Sequence, residues 1–221
     1  MPRLPRRPVS SFKKKAFLLL RANCPTDIAQ STSSVHELSS SFILAYHGCD
    51  HTAAERLLEN KPFKISQNEY DWLGSGVYFW ESNPARALHW ARHLQKLGRT
   101  RASQIRRPYA VGAVIDLGYC LDLVSTTGIE FVKRAYEDFK IYMDKSRSKM
   151  PLNKGGDDLL QRHLDCAVIN HIHSINKRDK RKPFETVRGV FLEGNRIYDT
   201  SGLRKDVYPS GKRIGVLATH H

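Results

Sequence analysis

The stretch YDWLGSGVYFWESNP, residues 70–84, decides the fold prediction because a loop, a strand and a helix start follow one another within it. Its apolar run Gly76–Trp80 predicts a buried strand. Ser82-Asn83-Pro84 then predicts a helix start, since a capping side chain precedes a proline, which has no N–H to leave unpaired at the first helical position. The helix is predicted to run from residue 84 to residue 97.

An apolar run before this stretch predicts a second buried strand. It covers Phe42–Tyr46 and ends at His47-Gly48. Asp50 can cap a helix over residues 51–59, because its side chain can accept hydrogen bonds from the first turn. Since strands and helices do not alternate strictly along the chain, the sequence predicts a mixed α+β domain and not a doubly wound parallel sheet. Further elements are predicted as strands at Tyr109–Leu117 and Thr186–Leu192, and as helices from the apolar spacing of Ile129 to Met143 and of Leu159 to Ile175.

The composition indicates one folded domain in a chain of 221 residues. A chain of this length can bury about 70% of its unfolded surface, so it needs no metal or disulfide to fold. No apolar run approaches the roughly 18 residues that a membrane helix needs, so no membrane association is predicted. The four cysteines show no CxxC spacing, which favours a reducing compartment, and we therefore expect a cytoplasmic protein.

The chain is strongly basic, with 36 cations against 22 acids and a formal net charge of +14. A field of this sign favours polyanionic partners, although a solvated surface explains it equally well. Residues 1–41 hold seven of the cations and two acids, and they are predicted to form a basic, disordered tail before a domain at residues 42–221. The sequence of this tail is compatible with three interpretations: a nucleic-acid-binding arm, an organelle-targeting leader, or translation from a start site assigned too early.

Two histidine pairs and one glycine pattern are considered as metal or dinucleotide sites, and none of them has the residues that such a site needs. His89 and His93 share a predicted helix face but lack a third ligand, while His171 and His173 point to opposite sides of their helix. No metal site is therefore predicted. Gly74-Ser75-Gly76 precedes a strand instead of opening a helix, so it is not a Rossmann dinucleotide fingerprint.

His47 and Tyr78 form the most informative group. A histidine at the end of one buried strand and a tyrosine in the next can face a common cleft. Gly48 would let a ligand approach the backbone closely, and Gly76 would leave room for a flat group above the tyrosine ring. The alternative is a strand-end histidine and a core tyrosine that bind nothing.

The motifs YHG, residues 46–48, and GVYF, residues 76–79, resemble the first two signatures of the ADP-ribosyltransferase superfamily, in its poly(ADP-ribose) polymerase-like, His-Tyr-Glu branch. The stretch from Tyr46 to Tyr198 is also similar to a group of small uncharacterised prokaryotic proteins. The segments that carry this similarity are YHGC, YDWLGSGVYFWE, ALHWA, VIDLGYCLDL and VRGVFLEG.

The resemblance implies a split, strongly curved sheet, mixed or antiparallel, that grips NAD between its two halves. It implies that His47 hydrogen-bonds the nicotinamide ribose, that the Gly48 backbone binds the nicotinamide amide, and that Tyr78 stacks on the nicotinamide ring. An aromatic face attracts this planar cation by roughly 0.5–2 kcal/mol. With Gly76 beside the tyrosine, these residues are the predicted NAD site.

The third signature of the family is an acidic residue or glutamine on a late strand. Residues 199–221, DTSGLRKDVYPSGKRIGVLATHH, contain neither glutamate nor glutamine. This C-terminus is therefore atypical, and the closing strands are predicted to be missing. Glu193 is the predicted catalytic carboxylate, together with the histidine and tyrosine of the first two signatures. Glu81, which can instead cap the following helix, and Glu185 are the alternatives.

The resemblance implies a mono-ADP-ribosyltransferase that uses NAD as a substrate and transfers ADP-ribose to a protein or nucleic-acid acceptor. A single small domain fits a toxin or defence effector better than a chain-building polymerase. The alternative is a catalytically inactive module of the same fold that binds NAD or nucleic acid. An RNA 2′-phosphotransferase ranks third, since the basic His/Arg cluster that its chemistry needs is not evident.

Overall fold

The computed structural model describes residues 17–20, 42–98, 104–156, 159–190, 199 and 214–218, with the first and last of these ranges described through their backbone. Seven strands and four helices lie within these ranges: β1 Phe17–Leu20, β2 Phe42–Asp50, α1 His51–Leu58, β3 Val77–Glu81, α2 Pro84–Lys96, β4 Pro108–Asp116, β5 Cys120–Asp122, α3 Thr126–Lys145, α4 His163–Arg178, β6 Thr186–Val190 and β7 Ile214–Ala218.

These strands form one mixed sheet in the order β1-β4-β2-β3-β7-β6-β5. β1 pairs with β4 in parallel, and β5 pairs with β6 in parallel. The remaining neighbours are antiparallel. The prediction of a mixed α+β domain is confirmed.

The core consists of two hydrophobic clusters on opposite sides of β3. The first packs Phe63 and the apolar face of α1 against β2, β3 and β4, and it includes Phe79. The second packs α3 and α4 against the rest of the sheet, and Tyr78 contacts it. Successive side chains of a strand point to opposite faces, so the side chains of Tyr78 and Phe79 lie on opposite sides of the sheet.

Both predicted helix starts are confirmed. The Asp50 carboxylate accepts a hydrogen bond from the Thr52 N–H at 3.0 Å and caps α1. Asn83 Oδ1 accepts one from the Arg86 N–H at 2.9 Å, and Pro84 is the first residue of α2. Each cap stabilises a helix that begins directly after a strand, so α1 follows β2 and α2 follows β3 with almost no loop.

Two strands lie where the sequence predicts none. β1 falls within the predicted tail, residues 1–41, and the other residues of that tail lie outside the described ranges. β7 falls within residues 199–221 and pairs with both β3 and β6, so the prediction that a closing strand is missing there is wrong. The two strands have four and five residues, and each pairs with a strand distant in sequence, β1 with β4 and β7 with β3.

α4 begins later than its apolar spacing predicts. Leu159 has a left-handed backbone with a φ of 47°, and a β-bridge joins Lys154 to Gln161. These features form a loop, and the helix starts only at His163. Leu159 and Leu160 are exposed on this loop, so they are not part of the buried face of α4.

Candidate functional site

β2 and β3 separate soon after they pair. The register between them consists of Ala45 opposite Glu81 and Tyr46 opposite Trp80. β2 continues to Asp50, and over all nine of its residues it pairs with β4 on its other side. The sheet is therefore open between residues 47–50 of β2 and residues 77–79 of β3, and we call this opening the split.

The main chain of Gly48 points into the split. Alternate residues of an antiparallel strand direct both their N–H and their C=O to the same neighbouring strand. Leu44 C=O accepts a hydrogen bond from the Ser82 N–H at 2.8 Å, so the even-numbered residues of β2 direct these groups toward β3. If the register between β2 and β3 continued, Gly48 would lie opposite Tyr78. The pairing ends two residues before Gly48, at Tyr46.

His47 spans the split with its side chain. Its Nδ1 lies 2.8 Å from the Tyr78 carbonyl oxygen. A carbonyl oxygen only accepts hydrogen bonds, so Nδ1 carries the proton. Burial lowers the pKa of His47 below the usual 6.5, although the bond to Tyr78 opposes this shift. The imidazole is therefore neutral at pH 7, and its Nε2 is a hydrogen-bond acceptor.

Aromatic rings hold the imidazole on the side of the first hydrophobic cluster. The centroid of the His47 ring lies 5.4 Å from that of Phe63 in an edge-on arrangement, and 5.7 Å from that of Phe79. The ring orientation is thus fixed both by packing and by the hydrogen bond to β3. Such a preorganised side chain loses little entropy when it binds a ligand.

The Tyr78 phenol lies on the other side of the sheet. Its hydroxyl donates to the Gly74 carbonyl at 2.7 Å and accepts from the Leu73 N–H at 3.1 Å. Burial, followed by the charge of Asp71, raises the pKa of Tyr78 far above its usual range, so the phenol stays protonated. The structure brings His47 to the main chain of Tyr78 and places the two side chains against opposite clusters.

The close packing of α2 against β2 requires a glycine at position 48. The sequence alone did not predict this contact. A Cβ at this position would lie 2.1 Å from the Ala87 carbonyl oxygen and 3.4 Å from the Ala91 nitrogen, both in α2. The space that sequence reasoning gives to a ligand on this side is therefore filled by the helix. Gly76 forms a two-way backbone bridge with Ser66, at 2.8 and 2.9 Å.

The two predicted carboxylates that the structure describes, Glu81 and Glu185, make different contacts. Glu193 lies outside the described residues. Glu81 does not cap α2; it accepts two hydrogen bonds from Arg188, at 3.1 and 3.0 Å, and Arg188 also lies 3.6 Å from Asp122. Although burial opposes it, this pairing raises the pKa of Arg188. The Glu185 carboxylate lies over Gly118, in the turn before β5.

The histidines that were weighed as metal ligands take part in other contacts. Arg86 Nη1 donates to His89 Nδ1 at 3.2 Å, and His93 stacks on Trp90 with centroids 5.5 Å apart. Both candidate histidines of α4 contact aromatic rings. In the part of the chain that the structure describes, no three His, Cys, Asp or Glu side chains are grouped to hold a metal ion.

Across the same ranges, none of the four helices combines the length and apolar character that a bilayer crossing requires.

Sequence reasoning missed Arg86, which is 2% exposed near the start of α2. Its guanidinium carbon lies 4.4 Å from the ring centroid of Trp80 and 5.6 Å from that of Trp90. The spacing of Arg86 and Trp90, four residues apart on one helix, is the signal that could have predicted their contact. The contact with Trp80 depends on how α2 folds back on β3, which no local pattern shows.

Comparison with known proteins adds one distant relative. No family model matches the chain, and no solved structure matches it. The chain is 28% identical over 146 residues to an uncharacterised protein of Methanocaldococcus jannaschii. The matched region covers 66% of this chain and 63% of the archaeal protein. The likeness supports a shared ancestry without assigning an activity.

Proposed function

We propose that this protein is an NAD-dependent mono-ADP-ribosyltransferase that binds the nicotinamide end of NAD at the split. The hydrogen bond from His47 Nδ1 to the Tyr78 carbonyl carries the proposal. It fixes the tautomer in which Nε2 accepts, so the imidazole is suited to receive a hydrogen bond from a ribose hydroxyl.

The Gly48 main chain supports the same proposal. It presents one N–H donor and one C=O acceptor toward the split, side by side. A primary carboxamide offers the complementary pair, an oxygen that accepts and an NH₂ that donates. Nicotinamide carries this group, so it can take the place that a paired residue of β3 would otherwise occupy opposite Gly48.

The proposed reaction breaks the bond between the nicotinamide nitrogen and C1′ of the ribose. The electron pair leaves with nicotinamide, positive charge grows on C1′, and a nucleophilic atom of the acceptor forms the new bond and loses its proton. The transition state resembles that of glycoside hydrolysis, which a nearby carboxylate stabilises. Glu193 stays the proposed carboxylate, because Glu81 is held by Arg188.

A labelling experiment tests this proposal. The full chain is incubated with a cell lysate and NAD labelled either in the nicotinamide or in the adenylate phosphate. We expect release of free nicotinamide and transfer of the phosphate label to macromolecules. Digestion with protease or with nuclease then assigns the acceptor to protein or nucleic acid. No release of nicotinamide, while a known transferase labels the same lysate, would contradict the proposal.

The inactive module of the same fold is the second candidate, and the ion pair of Glu81 with Arg188 favours it. If the remaining carboxylate does not reach the ribose, the chain binds NAD and leaves it intact. Equilibrium binding of NAD without release of nicotinamide in the same labelling experiment would identify this module.

The proposed location is the cytoplasm. Cys49, Cys120 and Cys166 are free and buried. Burial raises the pKa of the Cys49 thiol to about 12 and the pKa values of the other two to about 11. All three are therefore protonated at neutral pH and are poor nucleophiles. Free thiols are what a reducing compartment maintains.

A further inference from the structure

The outward surface of α2 combines exposed aromatic rings with cations. The helix, PARALHWARHLQK, contains no aspartate or glutamate. Trp90 is 37% exposed, and Arg92, His93 and Lys96 are exposed around it. We call these four residues the α2 platform. The opposite face of the helix is buried through Ala87 and Ala91, next to Gly48.

The rings of the platform are already ordered. Arg86 contacts the rings of both Trp80 and Trp90, and the two rings also meet edge to face with centroids 6.5 Å apart, so Trp90 is supported from within the protein. His93 then lies on Trp90 with an angle of 28° between the ring planes. The series of stacked groups runs from the buried Arg86 to the exposed His93. A rigid aromatic surface of this kind binds a flat group at little entropic cost.

A second set of cations lies beside the C-terminal end of α2. Gln95 Nε2 donates to the Arg106 carbonyl at 2.8 Å, which ties the loop before β4 to the helix. Asp50 accepts hydrogen bonds from the main-chain N–H groups of Arg106 and Arg107, at 2.7 and 2.8 Å. The carboxylate thus fixes the loop backbone, and both arginines are exposed next to the platform.

We propose that the α2 platform, with Arg106 and Arg107, binds single-stranded nucleic acid. Cations attract the phosphates, and an unpaired base stacks on the exposed rings, as bases do on aromatic side chains in proteins that bind single strands. A duplex does not fit, because its bases are already stacked on one another. The platform residues do not line the split, so this proposal stands or fails independently of the proposed NAD reaction.

Fluorescence anisotropy of the full chain with a labelled single-stranded RNA of about 12 nucleotides tests the cations. We expect the charge-reversal variant R92E/K96E to lower the affinity at least tenfold. It should also reduce the slope of log K against log salt by about 1.4, for two lost phosphate contacts on a single strand. The matched control is K145E/K149E, which makes the same charge change at two exposed lysines, one at the C-terminal end of α3 and one just after it.

The aromatic part is tested by Trp90→Ala and Trp90→Phe. Trp90→Ala removes the ring on which His93 stacks and thus the surface that receives the base, which weakens binding about tenfold, and phenylalanine should restore most of it. Thermal melting of each variant shows whether the protein stays folded. If Trp90→Ala is unfolded, the affinity of R92E/K96E alone tests the proposal. Equal affinities of R92E/K96E and K145E/K149E would overturn the proposal. So would equal binding of a duplex, or full competition by polyglutamate, which would indicate an acidic protein partner.

Discussion

Replacement of Gly48 by alanine is expected to lower the free energy of unfolding by about 3 kcal/mol, which lies at the upper end of the cost of overpacking. The added Cβ would lie 2.1 Å from a backbone oxygen of α2, and neither β2 nor the helix can move without disturbing its neighbours. For a chain of this length we expect the melting temperature to fall by about 6–12 °C. Calorimetry or circular dichroism at fixed pH measures this shift.

Gly98→Ala is the matched control for Gly48→Ala. Gly98 has a positive φ of 56°, and a Cβ there would meet no atom within 4 Å. Its replacement should therefore cost only the backbone strain, about 1–2 kcal/mol. An unchanged melting temperature for Gly48→Ala would mean that α2 does not lie on β2 at this point.

Removal of the His47 imidazole is expected to reduce the release of nicotinamide from NAD by about 100-fold, the usual cost of losing one preorganised hydrogen-bonding group. The most informative variant is His47→Asn. The asparagine amide can still donate to the Tyr78 carbonyl from a position near that of Nδ1, but it provides no acceptor where Nε2 stood. We therefore expect a melting temperature close to that of the wild type together with the loss of activity.

His163→Ala is the control for the histidine variants. His163 is the first residue of α4, where its ring lies edge-on to Tyr70 at 6.0 Å. Its loss should leave the release of nicotinamide unchanged. If His47→Asn is folded and as active as the wild type, the imidazole takes no part in the reaction, and the hydrogen bond to β3 is a structural contact only.

The parts of the fold that depend on local chemistry were predictable from the sequence. Asp50 and Asn83 cap their helices as expected, because a capping side chain needs only the first turn that follows it. The neighbouring strands β2 and β3 follow from their apolar runs, although β2 extends to Asp50, further than its apolar run indicates. The missed strands β1 and β7 are defined by pairing with distant segments and not by their own pattern.

The site was predictable in part, since its chemistry depends on contacts between distant residues. The sequence singled out His47, but not the fact that its ring bonds to a main-chain oxygen 31 residues away. It left Glu81 open as a cap or a catalytic carboxylate, whereas the structure pairs it with Arg188, which lies 107 residues further along. Side-chain partners at such separations leave no periodic signal in a single sequence.

The most direct test of the NAD site compares the affinities of NAD and of nicotinic acid adenine dinucleotide for the wild-type chain. The two differ only in a carboxamide against a carboxylate. The carboxylate has no N–H to donate to the Gly48 carbonyl, and a buried polar group left without its partner costs about 1–3 kcal/mol. By titration calorimetry we expect NAD to bind at least tenfold more tightly. Equal affinities, or tighter binding of the acid, would contradict the assignment of the split as the nicotinamide site.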